Sequence, residues 1–360
     1  MQNHIYNAIG LMSGTSLDGL DIAFCRFELL QDQKWDWEVL NCMTRTYPVE
    51  LKSKLSKSKE LSGLELHLLD LELGKWMGEV GKEFIKDHKL KVDFIASHGH
   101  TVFHMPENQL SLQIGNPNFI HAFAECPVIS DFRTLDMARG GQGAPLVPIG
   151  DALLFPNYDF CINLGGIANV SYADQNNKRL AYDICACNIL LNSLAKLKGF
   201  EYDEHGLLAK SGKEIPELLK EWNNFHYLNK TPPKSLGIEM IEPEILSKID
   251  ESRYSAGDML KTAVSHIATQ ICNAVVSAKK GGKILLTGGG ALNSYLVEKI
   301  ESKLSKNYEI VVAERKIVDF KEALIFAFLG VLNVRNEWNT WASVTGAHAN
   351  SVSGQKLGNI

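Results

Sequence analysis

The stretch Ser13-Gly14-Thr15-Ser16-Leu17-Asp18-Gly19 stands between two apolar runs, Ile5–Met12 and Leu20–Leu30. Both runs have strand character and the residues between them are small and polar, so the segment reads as a strand–turn–strand unit. The make-up of the turn points to chemistry. Glycines let backbone N–H groups approach an anion closely, and Ser and Thr hydroxyls add further donors. Asp18, with Asp21 three residues on, is a carboxylate able to hold Mg²⁺ directly or through water. The same residues also suit a plain hairpin turn whose Asp bonds its own backbone.

Moving outward, the theme recurs. Phe160–Leu164 and Asn169–Ala173 flank Gly165-Gly166, a second strand–glycine turn–strand unit. Lys283–Thr287 has a buried-strand pattern and runs into Gly288-Gly289-Gly290, with a helix expected from Asn293. The second turn is placed to grip the other side of a phosphate tail, and the third to meet adenosine or an α-phosphate. Each has a plainer reading: Gly-Gly commonly closes hairpins, and a glycine run permits tight strand–helix packing. No turn continues into Gly-Lys-Ser/Thr and none is G-x-G-x-x-G after a strand, which argues against a P-loop or a dinucleotide fold. Two hairpin phosphate loops plus one strand–Gly-Gly-Gly–helix unit resemble the layout of the actin/hexokinase/Hsp70 superfamily.

The chain has 360 residues, about twice the usual size of one domain, and two related α/β domains facing a cleft are expected. It is 45% hydrophobic and 22% charged, the composition of a soluble globular protein that buries its cores without disulfides or a structural metal. The net charge is -5 with both signs interspersed, so no basic stripe offers itself to nucleic acid. Seven scattered cysteines fit a reducing compartment. The start MQNHIYNAIG lacks a charged-then-apolar leader, and the longest apolar stretch, near Ala323–Leu332, is too short to span a bilayer. A cytoplasmic protein with no nucleic-acid or membrane partner is expected.

The periodicity predicts a helical stretch over Leu51–His88 with Leu64, Leu66, Leu68, Leu69, Leu71 and Leu73 on its buried face. Val92–Ser97 reads as a strand ending at the polar run His98–His104, with further strands at Leu110–Ile114 and Cys126–Ile129 and an ordered Gly-rich loop over Arg139–Pro148. Ile189–Leu197, Ala256–Ala278 and Phe320–Asn333 read as helices. In Ala256–Ala278, Met259, Leu260, Ala263, Val264, Ile267, Ile271 and Val275 make one face.

The resemblance becomes specific motif by motif. The run Ile9-Gly10-Leu11-Met12-Ser13-Gly14-Thr15-Ser16-Leu17-Asp18-Gly19-Leu20-Asp21 is similar to the N-terminal signature of the anhydro-N-acetylmuramic acid kinases. His98-Gly99-His100-Thr101-Val102-Phe103-His104 matches their H-G-Q-T-V-x-H segment, with His100 in place of Gln. Leu112–Asn116, Asp131-Phe132-Arg133, Gly140–Pro148, Asn163–Asn169, Pro232-Pro233-Lys234-Ser235, Gly288–Asn293, Glu322-Ala323 and Val344–Ala347 follow in order.

The resemblance implies two actin/hexokinase-like (ribonuclease H-like) α/β domains with an interdomain cleft, formed by residues 1–132 with 345–360 and by residues 133–344. It implies a kinase that uses ATP and Mg²⁺ to open the 1,6-anhydro bridge of the muramyl sugar and phosphorylate O6, a step in peptidoglycan recycling. A homodimer is also implied.

For the site, the resemblance marks Gly14, Thr15, Ser16, Leu17, Asp18, Gly19, Leu20 and Asp21 together with Gly165, Gly166, Gly288, Gly289, Gly290 and Asn293 as nucleotide-binding, with Asp18 holding the metal. Asp183 is the expected general base, at the end of a strand Leu180–Tyr182 and before a helix; without the resemblance a helix N-cap is the favoured reading of this residue. The family runs Asp-Thr-Gly-Pro-Gly-Asn here and this chain Asp183-Ile184-Cys185-Ala186-Cys187-Asn188, so the turn is reshaped. Cys185 and Cys187, without a second pair at ligand spacing, read as buried small hydrophobes rather than metal ligands.

Glu322, expected to open the last amphipathic helix, is marked as a second catalytic carboxyl contacting substrate or metal, or else as a residue favoured by the helix dipole. His98, Gly99, Asp131, Arg133, Gln142, Pro145 and Asn188 are the expected sugar contacts, with His98, His100 and His104 ordering the pocket. Arg133 suits either a lactyl carboxylate or a phosphate. Two other functions remain open: a kinase for another 1,6-anhydro sugar such as levoglucosan, and a catalytically silent sugar or nucleotide sensor.

Overall fold

The computed structural model describes residues 4–232 and 234–359. Contacts divide the chain into two compact units, Met1–Leu154 with Phe320–Ile360, and Phe155–Asp319. The boundaries expected from sequence, after residues 132 and 344, both fall inside the first unit. Two contacts explain why. The helix Val147–Leu154 belongs to the first unit because Gly150 packs on the Ile325 side chain, where an added Cβ would stand 2.6 Å from Cγ1. Phe320 onward belongs there because the helix Arg315–Val334 lies against Gly10, where a Cβ would meet the Ala323 carbonyl oxygen at 1.8 Å.

The first unit is built on strands β1 (Ile5–Ser13), β2 (Leu20–Leu29), β3 (Trp35–Arg45), β4 (Phe94–Met105), β5 (Leu110–Ile114) and β6 (Val128–Ser130). The second carries β7 (Phe160–Leu164), β8 (Ile167–Ala173), β9 (Arg179–Ala186), β10 (Gly282–Thr287) and β11 (Tyr308–Val312); β12 (Gln355–Leu357) returns to the first sheet. The sheet orders are β12-β6-β4-β1-β2-β3, with β5 on β4, and β11-β10-β7-β8-β9. In each, three antiparallel strands joined by hairpins are extended by two parallel ones reached through helical crossovers. The same β-order in both units is the α/β class expected, and the repeated strand–turn–strand unit opens each sheet.

Several elements match their expected spans. The helix Ala256–Ala278 is N-capped by Ser255, and all seven residues expected on its inner face are fully buried. Other expectations need correction. The helical stretch over Leu51–His88 is two helices, Val49–Ser56 and Gly63–Asp87, because Ser62 and Glu65 form a reciprocal capping box that starts the second afresh. Its buried face is Leu69, Leu73, Met77, Val80 and Phe84; Leu64 and Leu68 face water. The strand expected over Val92–Ser97 continues as β4 through the histidine run to Met105, because β5 pairs with that extension from His100 to Met105. The strand expected at Cys126–Ile129 is β6, Val128–Ser130. Strand β3 was not anticipated, although Trp35, Trp37 and Val39 alternate with Asp36 and Glu38. Among the described residues no helix is long and apolar enough to cross a membrane.

Candidate active site

In the first unit the turn Gly14–Gly19 links β1 to β2, with Ser13 paired to Leu20. Thr15, Ser16 and Asp18 are exposed, so their hydroxyl and carboxylate oxygens are open to a ligand, while Gly19 and Leu20 are buried and shape the turn. Asp21 accepts a 2.6 Å bond from the Thr44 hydroxyl. The root of the turn is fixed from below. Ser13 Oγ lies 2.6 Å from the Tyr47 hydroxyl and 2.9 Å from His100 Nδ1, all three buried. Burial lowers His100 to a pKa of about 4, so its ring is neutral, and burial raises the Tyr47 phenol to about 12. Composition of the turn did not reveal this anchor; the departure from Gln at His100 was the available signal.

Beside it stands a charged cluster. Arg133 donates from Nε (3.1 Å) and Nη2 (2.9 Å) to His98 Nε2 and from Nη1 (2.6 Å) to the Gly143 carbonyl. His98 Nδ1 lies 2.9 Å from the Gly99 carbonyl, which fixes the neutral tautomer with hydrogen on Nδ1. Burial first and Arg133 second hold His98 well below its ordinary pKa. These bonds use part of the Arg133 fork and leave N–H groups for an anion. Burial lowers its pKa to about 10, which leaves it charged at neutral pH.

Glu322 is exposed to water yet crowded by protein, and its pKa is raised, by desolvation first and by Asp21 among the charges, against the pull of Arg133 and Lys321. It does not open its helix: Arg315–Val334 begins two turns earlier, so dipole placement does not account for it. Its neighbour Lys321 is buried and paired with Asp151 at 2.6 Å.

A pocket of about 220 Å³ opens where β5 and β6 diverge from β4. His98, Gly99 and Asp131 line it with Asp70, Ser97, Gln113, Ser130, Thr134 and Gln355. Asp131, at φ 59°, accepts from the Thr134 N–H and the Gln355 amide. Arg133, Gln142 and Pro145 do not line this pocket. Gln142 and Pro145 lie on a loop ordered by the fully buried Asp136, which accepts from the Gly143 N–H (2.8 Å) and the Thr345 hydroxyl (2.7 Å). The reading from sequence missed Asp136; an acidic residue within the apolar run Leu135-Asp136-Met137 is the signal that finds it. His104 lies on the exposed β4 extension, bonded to Ser111 at 3.1 Å.

In the second unit the glycine turn Gly165–Gly166 joins β7 to β8, with Leu164 paired to Ala168. Asn188 ties it down: its N–H donates to the Gly165 carbonyl (3.1 Å) and its side-chain amide to the Leu164 carbonyl (3.0 Å). Gly288 follows β10 at φ 77°, and a Cβ there would stand 2.4 Å from Asn163 Oδ1, so only glycine lets this backbone pass. Gly289 and Gly290 begin a single helical turn that ends at Leu292. Asn293 is the buried N-cap of Ser294–Lys303, accepting from the Leu296 N–H at 3.0 Å.

Asp183 lies within β9, opposite Asn169 and beside a register shift, rather than at a strand end; Cys187 is the residue that precedes the helix Asn188–Lys196, so Asp183 is no N-cap. The carboxylate is half-buried, with Oδ2 accepting from the Leu236 N–H at 2.9 Å. Burial raises its pKa, and the Leu236 bond opposes the rise. Ile184, Cys185, Ala186 and Cys187 are all buried, so the departure from the family pattern is absorbed by the core. Among the described residues no cluster of His, Cys, Asp or Glu could hold a metal by itself. Pro233 of the expected Pro-Pro-Lys-Ser motif lies outside the described residues.

A half-buried carboxylate beside a glycine turn, and a hydroxyl-lined turn anchored beneath, agree with the motif series, and comparison with known proteins decides the family. The model of the family described as anhydro-N-acetylmuramic acid kinase matches residues 6–358. The chain belongs to the anhydro-N-acetylmuramic acid kinase family. It is 33% identical to the anhydro-N-acetylmuramic acid kinase of Francisella tularensis subsp. novicida over 96% of this chain and 97% of the relative. It is 31% identical to that of Bacillus thuringiensis over 99% and 98%. Among solved structures, the hexokinase from Schistosoma mansoni complexed with glucose is similar at a TM-score of 0.41 and 12% identity, covering 90% of this chain and 84% of that one. As a member of this family the chain is an ATP-dependent kinase.

Proposed function

We propose that this kinase opens the bridge of 1,6-anhydro-N-acetylmuramic acid with water and phosphorylates the released O6, giving N-acetylmuramic acid 6-phosphate and ADP. The observation that carries the reading is Asp183: a carboxylate partly removed from water, one oxygen held by an amide, beside the strand that leaves the Gly165–Gly166 turn. Raised by burial, it is a base closer in strength to its task than a free carboxylate.

In the proposed step Asp183 takes a proton from water as the water oxygen bonds to the anomeric carbon. The bond from that carbon to the bridge oxygen breaks, the bridge oxygen bonds to the γ-phosphorus, and ADP departs. The exposed donors of Gly14–Gly19 and the glycines 165, 166 and 288–290 are assigned to the nucleotide's phosphates, where backbone N–H groups meet charge without hindrance. Arg133, with N–H groups left over, is assigned to an anionic group of sugar or nucleotide, and Glu322 to the substrate or its metal.

The donor set suits Mg²⁺, which takes one or two carboxylates plus phosphates and keeps its waters: Asp18 is exposed among hydroxyls. Bound there, Mg²⁺ would neutralise charge on the phosphates. A homodimer in the cytoplasm is the assembly and location we assign.

The test is turnover of the anhydro-muramyl sugar and of levoglucosan with Mg-ATP, followed by product mass. The muramyl sugar should gain one water and one phosphoryl group and be the better substrate. Preferential turnover of levoglucosan, or binding of both ligands without product, would replace this reading with one of its two competitors.

A further inference from the structure

We infer that Lys234 is a positioning residue for the Asp183 carboxylate, tied back to Tyr227 and Leu228 so that the Leu236 N–H meets Oδ2. The inference rests on Asp183 being the base.

Tyr227, Lys234 and Leu236 are clipped to β9 at three points. The Tyr227 hydroxyl donates to the Asp183 carbonyl at 2.6 Å, the Asp183 N–H donates to the Lys234 carbonyl at 3.3 Å, and the Leu236 N–H donates to Asp183 Oδ2 at 2.9 Å. Tyr227 and Leu236 are buried, so both ends of the clip are packed. Between them Lys234 turns its ammonium back toward Tyr227. Nζ donates to the carbonyls of Leu228 (3.1 Å) and Tyr227 (3.3 Å) and stands 4.7 Å from the centre of the Tyr227 ring and 5.7 Å from that of Tyr182.

No carboxylate among the described residues forms an ion pair with Lys234. Its charge is spent on carbonyl dipoles and ring faces, a staple between Lys234 and residues 227 and 228. A lysine used only for solubility would reach water instead; this one is partly desolvated, and its pKa is lowered, chiefly by burial.

The consequence for Asp183 follows from its surroundings. Tyr227 and Lys234 face it, and Tyr182 and Cys185 flank it on β9; burial raises all three of the Tyr and Cys groups, so they are neutral at working pH. Among the described residues the Leu236 N–H is then the group that lowers the Asp183 pKa against burial. With the staple gone the amide withdraws, the carboxylate protonates more readily, and Oδ1 loses its fixed direction.

The experiment is the pH profile of kcat/KM for the full chain and for Lys234→Met, Lys234→Arg, Tyr227→Phe and Asp183→Asn, each checked for a nucleotide-induced thermal shift. The acid limb of Lys234→Met should move up by about one pH unit, with activity returning to within about threefold of the parent on the alkaline side. Lys234→Arg should restore the limb, and Tyr227→Phe should move it in the same direction. A limb unmoved in both Lys234→Met and Tyr227→Phe, or a loss equal at every pH, overturns the inference. Turnover by Asp183→Asn would instead remove the base on which it rests; an inactive Asp183→Asn beside an unmoved limb defeats the positioning role alone.

Discussion

In the first unit β1 and β2 are joined by Gly14–Gly19, a turn lined with hydroxyls and a carboxylate; in the second, β7 and β8 are joined by Gly165–Gly166, a turn with no side chain. The sheets beneath are laid out alike, three antiparallel strands and then two parallel ones. The difference lies in what each sheet presents at its turns. The first unit adds polar and ionisable groups: Ser13, Tyr47 and His100 below the turn, and His98, Arg133 and Glu322 beside it. The second offers backbone from five glycines, 165, 166 and 288–290, with Asn188 tying down the first pair, and one carboxylate, Asp183, held by an amide. A common scaffold thus presents two different sets of groups, because sheet order is set by strand pairing and packing whereas the groups on offer are set by the few residues at the turns.

That comparison is easiest to break at Asp183. Asp183→Asn keeps the shape and the hydrogen-bond acceptor but removes the base, so kcat should fall by about 10³-fold or more while ATP still raises the melting temperature. Activity within tenfold of the parent would show that the second unit contributes backbone only.

A smaller effect separates glycines that hold structure from glycines that face ligand. Gly10→Ala should cost about 3 kcal/mol in urea unfolding, since its Cβ would collide with the Ala323 backbone, which cannot yield. Gly14→Ala meets only the Ser16 hydroxyl at 3.5 Å and should leave stability within about 1 kcal/mol while weakening nucleotide binding. Equal stability losses in the two would erase the distinction.

The smallest effect concerns acid. His100 is neutral in the folded first unit down to a pKa of about 4, whereas the unfolded chain takes up a proton near the ordinary 6.5. Stability is therefore full above pH 6.5 and lost as pH falls toward 4, with a His100 share of about 2 kcal/mol by pH 5. His100→Gln should remove that share and flatten the acid limb of unfolding. An unchanged limb would mean that the Ser13–His100 anchor does not hold in solution.

The sequence made much of this legible, and unevenly. Repetition of the strand–turn–strand unit was readable because both hairpins join apolar runs through glycine. The helix Ala256–Ala278 was readable because its apolar residues keep a 3.6-residue period over six turns. The paired extension of β4 was hidden, since His98–His104 looks polar and only its partner β5 makes it a strand. The unit boundary was hidden as well: it depends on Gly10 and Gly150 admitting distant helices, which no local pattern records. Asp183, expected from the motif at a strand end, lies inside the strand instead, because the three residues after it, Ile184, Cys185 and Ala186, are apolar enough to continue β9. The residues that bond to it, Tyr227, Lys234 and Leu236, come from more than forty residues away and are visible only once folded.

In the proposed reaction water, activated by Asp183, attacks the anomeric carbon as the bridge oxygen is phosphorylated. Turnover of the anhydro-muramyl sugar with ATP in ¹⁸O-labelled water, quenched early and read by mass spectrometry, measures this directly. One heavy oxygen on the anomeric carbon and none in the phosphate ester is the predicted result. Label in the phosphate ester, or a phosphorylated sugar that carries no label, would contradict it.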